Sequence, residues 1–138
     1  MSGAESLQEY RTAIRLQPYW HLNQTDLAFM KSVMGEIDSE FMDALNNGFR
    51  NAPWDPGNLA KISTLGISHW EELDDASRKT VVNSIMHRLS WKLDDPDTND
   101  NEAVQALVSL TQSGRRHDVC PLLDRSNPYV PTYCDTPD

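Results

Sequence analysis

Apolar residues recur every three or four positions through most of this chain, and nowhere do they alternate as a β-strand would require. Leu7, Tyr10 and Ile14 form a first stripe, with Ser6 and Glu9 spaced as a capping box and Pro18 as a stop. Met30, Met34, Ile37, Phe41 and Leu45 continue the rhythm. They predict one long helix that starts at Asn23 or Thr25, kinks at Gly35 and closes near Asn46-Asn47-Gly48. Asp55 and Pro56 are suited to the N-cap and first position of another helix. Its face is Leu59, Ile62 and Leu65, and Gly66 is its expected end. Ser68 and Glu71 make a second capping box around Trp70. Val82, Ile85, Met86, Leu89 and Leu93 trace a core stripe. Trp91 falls off that stripe, about 200° around the helix from Leu89.

Asn99 with Glu102 can cap a last helix whose face is Val104, Leu107 and Val108, closed by Ser113-Gly114. Beyond it, Pro121, Pro128, Pro131 and Pro137 predict an extended, irregular segment laid over the helices. The expectation is an all-α fold, a single compact domain of five or six helices. Residues 1–114 form the helical body and residues 115–138 an extended Pro-rich arm packed on it. The spacing of Tyr10, Ala13 and Pro18 resembles the second helix of a tetratricopeptide repeat. Such a repeat returns after about 34 residues, where Ala44 replaces the aromatic, so the pattern is read as one amphipathic helix.

Length and composition agree with this reading. A chain of 138 residues suits one domain, and four tryptophans, five methionines and three phenylalanines supply core material. Charge narrows the function classes. The net charge of −9 is spread as −3, −4 and −2 over residues 1–50, 51–100 and 101–138. Nucleic acid and anionic membranes both need a positive footprint, so neither is an expected direct partner. No apolar run approaches the roughly 20 residues of a membrane span, and MSGAESLQEY lacks a secretion signal. The expected setting is the cytoplasm, with Cys120 and Cys134 as two separate reduced thiols.

Candidate chemistry is sparse. Leu93–Ala103, LDDPDTNDNEA, holds five carboxylates and no basic residue. As a calcium loop from Asp95 it offers Asp95, Asp97 and Asn99, but Asp100 replaces the turn glycine and Ala106 the bidentate glutamate. His117, Cys120 and Cys134 lack a second close ligand pair for zinc. A disulfide between the cysteines would close a loop of about 15 residues in an oxidising setting. His21, His69 and His87 lie on separate segments and read as surface or boundary residues. Neither a phosphate loop nor a G-x-S-x-G elbow is present. Arg115, Arg116 and His117 form a small basic cluster suited to a helix C-terminus or the acidic surface.

These features lead to a non-enzymatic protein, without cofactor or metal, that binds a basic-surfaced protein such as a nuclease, a nucleic-acid-binding complex or a toxin. Inhibition or neutralisation, of the immunity or phage anti-defence type, is the expected result. Asp94, Asp95, Asp97, Asp100 and Glu102 are the expected contacts, with Trp91 and Trp54 as aromatic anchors. The alternative is a structural or assembly subunit of a homo-oligomer or viral particle.

Overall fold

In the computed structural model, residues 2–18, 20–94, 101–112 and 114–135 are described. They form eight α-helices: α1 (Gly3–Leu16), α2 (His21–Val33), α3 (Ser39–Asn51), α4 (Pro56–Ser68), α5 (Asp75–Asp94), α6 (Asn101–Thr111), α7 (Arg116–Val119) and α8 (Tyr129–Cys134). Short 3-10 turns at Trp70–Glu72 and Cys120–Leu122 complete them, and no strand occurs among the described residues. The fold class is therefore all-α, with more helices than the five or six expected.

The largest correction lies between α2 and α3, which the periodicity joined into one kinked helix. Gly35 sits at φ 73°, a left-handed conformation open to glycine at little cost. Its N–H donates to Ser32 O and that of Glu36 to Lys31 O, the two bonds of a Schellman C-terminus. Asp38 then accepts from Phe41 N–H and starts α3 afresh. The apolar rhythm persists across this turn because both helices face the same core. Asn23 and Thr25 are not caps; Trp20 occupies that position, and Thr25 is buried. The first capping box is Ser2 with Glu5, not Ser6 with Glu9.

Asp55 and Pro56 start α4 as the sequence predicts. Gly66 does not end it. The helix runs on to Ser68, and a Cβ on Gly66 would collide with Val81. Glycine here permits the close approach of α4 and α5. Asp74 accepts from Ser77 N–H at the head of α5, while Ser68, expected to cap the turn around Trp70, is the last residue of α4, and the turn at Trp70 has no side-chain cap. The Val82, Ile85, Met86 and Leu89 stripe is buried together with Val81. The side chain of Leu93, the cap Asn99 and the closing Ser113 lie outside the described residues.

A single core joins these helices, with Phe41, Leu45, Leu59, Ile62, Trp70, Ile85, Leu89 and Leu107 fully buried. α2 contacts α1, α3 and α4; α5 contacts α3, α4 and α6. One side chain ties three helices: Asn58 of α4 accepts from Thr25 Oγ1 of α2 and donates to Gly48 O and Ala52 O around the end of α3.

The described part of the C-terminal segment, residues 114–135, is mostly short helical turns and not the extended arm expected. α7 and α8 pack against α6, a 3-10 turn packs on α7, and the segment adds Val119, Leu123 and Val130 to the core. Two of its prolines sit where helical turns begin: Pro121 in the 3-10 turn and Pro128 at the N-cap of α8. A missing N–H costs nothing in a first turn, so these prolines start helical turns here. Cys120 and Cys134, expected as separate thiols, are joined in a disulfide with Cα atoms 5.8 Å apart.

Candidate partner-binding site

Trp54 and Trp91, distant in sequence, are linked through His87. His87 and Trp91 are four residues apart on α5 and share a helix face. The His87 ring lies against Trp91, with centroids 6.5 Å apart, and against Phe49 of α3 at 5.4 Å. Its Nδ1 is 2.9 Å from Pro53 O, which fixes the turn carrying Trp54 onto α5. Trp54 itself is 66% exposed, while Trp91 is half-buried. His87 is thus a boundary histidine that positions two indoles. The acidic stretch leaves α5 one turn beyond Trp91, at Asp94, whose side chain is not among those described. Asp95, Asp97 and Asp100 lie outside the described residues. Glu102 opens α6 with its side chain 82% exposed, 3.7 Å from the buried Arg88 of α5.

A second polar centre has no counterpart in the sequence reading. Lys31 faces inward from α2, its side chain only 2% exposed. Glu40 and Asp38 accept from its ammonium at 2.7 and 2.9 Å, and Glu36 lies 3.4 Å away. Arg11 of α1 reaches the same Glu40 with two parallel bonds of 2.9 and 2.8 Å. Burial opposes the charge on Lys31, yet the bonds to Glu40 and Asp38 outweigh it and hold Lys31 above the usual lysine value. The Arg11 bonds first, and Lys31 next, pull Glu40 down from 4.5 to about 2. Asp38 is also lowered: burial raises it, but Lys31 and the Phe41 N–H prevail. The network fastens α1, α2 and α3 together, and its ions are committed to one another. The available signal was a lysine four residues after Leu27 on the buried face, followed by three acids at alternate positions.

Ser32, His69 and Glu72 form a chain with the connectivity of a serine–histidine–acid triad. Ser32 Oγ is 2.7 Å from His69 Nε2, and His69 Nδ1 is 3.0 Å from Glu72 Oε2. The surroundings oppose acyl-transfer chemistry. Ser32 stands one residue from the end of α2, where the helix presents partial negative charge, and Glu71 and Glu72 are exposed nearby. A developing oxyanion needs N–H donors and positive potential. His69, with its ring edge-on to Phe41 at a centroid distance of 5.7 Å, clasps α2 to the end of α4.

The third candidate group is rearranged. The disulfide takes both sulfurs from the His117, Cys120 and Cys134 set, so no thiolate is present to bind zinc. Arg115 pairs with Glu71 at 3.3 Å and donates to Ile67 O at 3.3 Å, and thus serves the end of α4. No described helix is long and apolar enough to cross a membrane. The chain matches no protein-family model, no curated protein and no solved structure.

Proposed function

We propose that this is a non-enzymatic acidic protein that binds a basic-surfaced protein through the end formed by Trp54, Trp91 and the acidic stretch from Asp94 to Glu102. The consequence for the partner, a nuclease, nucleic-acid-binding complex or toxin, would be inhibition or neutralisation. One observation carries this reading: an indole left 66% exposed on a turn that His87 holds to α5, the helix that carries Trp91 and leads into the densest acidic run of the sequence. An aromatic anchor bordered by carboxylates matches a basic patch with an apolar centre. The cytoplasmic placement read from the sequence is kept as part of the proposal, and the Cys120–Cys134 bond weighs against it because disulfides persist in oxidising compartments.

The test is capture from the native host with the tagged chain, followed by calorimetry on the captured protein. Trp54→Ala should weaken binding by about 30-fold, the scale of an interface hot spot. Replacing Asp94, Asp95, Asp97 and Asp100 by lysine should slow association and flatten its salt dependence. If both variants bind as the parent does, this end of the molecule is not the site.

The assembly-subunit reading also has an observation in its favour. Leu16, Trp20, Phe29, Val33 and Met34 leave 78, 50, 52, 64 and 39% of their surface exposed on α1, α2 and their flanks.

A further inference from the structure

Between α1, α2 and α3 lies a cleft of ≈ 300 Å³, at the small end of ligand sites. Its wall is apolar where Leu27 and Ala44 are buried beside Ile14, and its rim is ionic, with Arg11, Glu40 and Asp43. The Arg11 guanidinium is committed to Glu40 through two bonds. Arg11 and Lys31 together are set against Glu36, Asp38 and Glu40, which leaves one negative charge in excess. Asp43 adds another. It is exposed and makes no ion pair or hydrogen bond among the described residues; Arg50, the one cation of α3, donates to Asn47 Oδ1.

The second feature is a buried amide. Gln24 of α2 borders the cleft with only 6% of its surface exposed. Its Nε2 donates to Pro18 O at 3.4 Å, which fixes the nitrogen end of the amide. Its carbonyl oxygen has no partner among the described residues. Buried acceptors are ordinarily hydrogen-bonded, so this oxygen calls for an N–H donor entering the cleft. A carboxylate without a counter-ion and an amide oxygen without a donor thus border the same apolar-walled space. Both ask for a cation that donates hydrogen bonds. No aromatic ring lines the cleft, which disfavours a quaternary ammonium held by ring faces.

We propose that this cleft binds a primary alkylammonium group, with its N–H donors on Asp43 and Gln24 Oε1 and its alkyl chain against Leu27, Ala44 and Ile14. An ammonium supplies three donors on a slim stem. The stem buries well along apolar surface while the charge stays at the rim. The group is that of a free short-chain amine or the end of a lysine side chain, and the chemistry that recognises it is the same. The cleft belongs to α1, α2 and α3, whereas the partner-binding reading concerns α5 and the turn at Trp54, so the two stand or fall separately. Trp54→Ala should leave amine binding unchanged.

Titration of the full chain with n-butylammonium chloride, followed by amide NMR against matched sodium chloride, tests the site. Shifts should centre on the Gln24 side-chain amide and on Asp43 and Ala44, with Kd of about 1 mM for so small a ligand. Asp43→Asn should raise Kd about 10-fold, the loss of a charged hydrogen bond. Gln24→Met, which keeps the volume and removes the acceptor, should raise it about 5-fold. Asp43 is exposed, and its variant carries the test should Gln24→Met not fold. Glu9→Gln, on α1 outside the cleft, should leave Kd unchanged, which separates the site from a general attraction of cations to a chain of −9. n-Butanol should not bind, and γ-aminobutyrate should bind more weakly, since its carboxylate meets the negative excess. Nα-acetyl-lysine methylamide identifies the source. Binding as tight as that of butylammonium assigns the cleft to a lysine side chain, and loss of binding assigns it to a free amine. Absence of a saturable shift in the cleft overturns the proposal, as do equal losses in Asp43→Asn and Glu9→Gln or equal binding of n-butanol.

Discussion

Replacing Glu40 by Gln removes one charge from the network that fastens α1, α2 and α3 while keeping the size of the side chain. In the parent, Glu40 receives two bonds from Arg11 and one from Lys31 and is held at about 2 instead of 4.5. A shift of that size corresponds to about 3.4 kcal/mol at 1.36 kcal/mol per unit. Glu40 keeps 37% of its side-chain surface, so solvent screening reduces the figure, and about 2 kcal/mol is expected. Removing a partner from buried Lys31 acts in the same direction, moderated by Asp38 and Glu36. Because the folded-state value is depressed, this stability is present above pH 4.5 and is lost as pH falls toward 2. Urea unfolding followed by tryptophan fluorescence should find Glu40→Gln about 2 kcal/mol less stable than the parent at pH 7, with the gap narrowing as pH falls below 4.5 and closing only below about pH 2. Asp43→Asn, an exposed change on the same helix, should cost under about 0.5 kcal/mol. A gap below 0.5 kcal/mol at pH 7, or one that persists unchanged in acid, would refute the reasoning.

Gly66→Ala should destabilise by about 3 kcal/mol in thermal unfolding, since the added methyl meets the rigid Val81 and drives α4 from α5, whereas Gly57→Ala in the open first turn of α4 should stabilise by about 0.5 kcal/mol. Equal effects at the two glycines would remove the close-approach argument. Thiol titration in denaturant should find no free thiol before reduction and two afterwards. Reduction should also cost about 3 kcal/mol, on the scale of closing a loop of this length. Two free thiols in unreduced protein would restore the expectation of separate cysteines.

The helices were legible wherever a local signal was complete. Asp55-Pro56 gives cap and first residue together, and α4 starts there. Val82, Ile85, Met86 and Leu89 lie on one face of a single helix, and all four are buried. Failures came where one residue serves two geometries. Gly35 is compatible with a kink or with a Schellman end, and Asp38 three residues later was the cue that separated them. Prolines argue against a helix interior but favour a first turn, so Pro121 and Pro128 were misread. The Lys31 network was hidden because lysine is ordinarily exposed, and its shared partner Glu40 is also bonded by Arg11 from another helix. The link between the turn of Trp54 and the helix of Trp91 rests on the Pro53–His87 contact across 34 residues, which periodicity does not encode.

The disulfide closes the C-terminal segment on itself: both cysteines belong to residues 116–134, and neither is bonded to the helical body. It stiffens a ring without mooring it. What moors the ring is the apolar contact of Val119, Leu123 and Val130 with the core. Oxidation state and attachment are therefore separable properties. A change at Val130 should release an intact loop from α6, visible as joint loss of hydrogen-exchange protection in α7 and α8 while α5 remains protected. The ring would detach as one cooperative unit and redock as one.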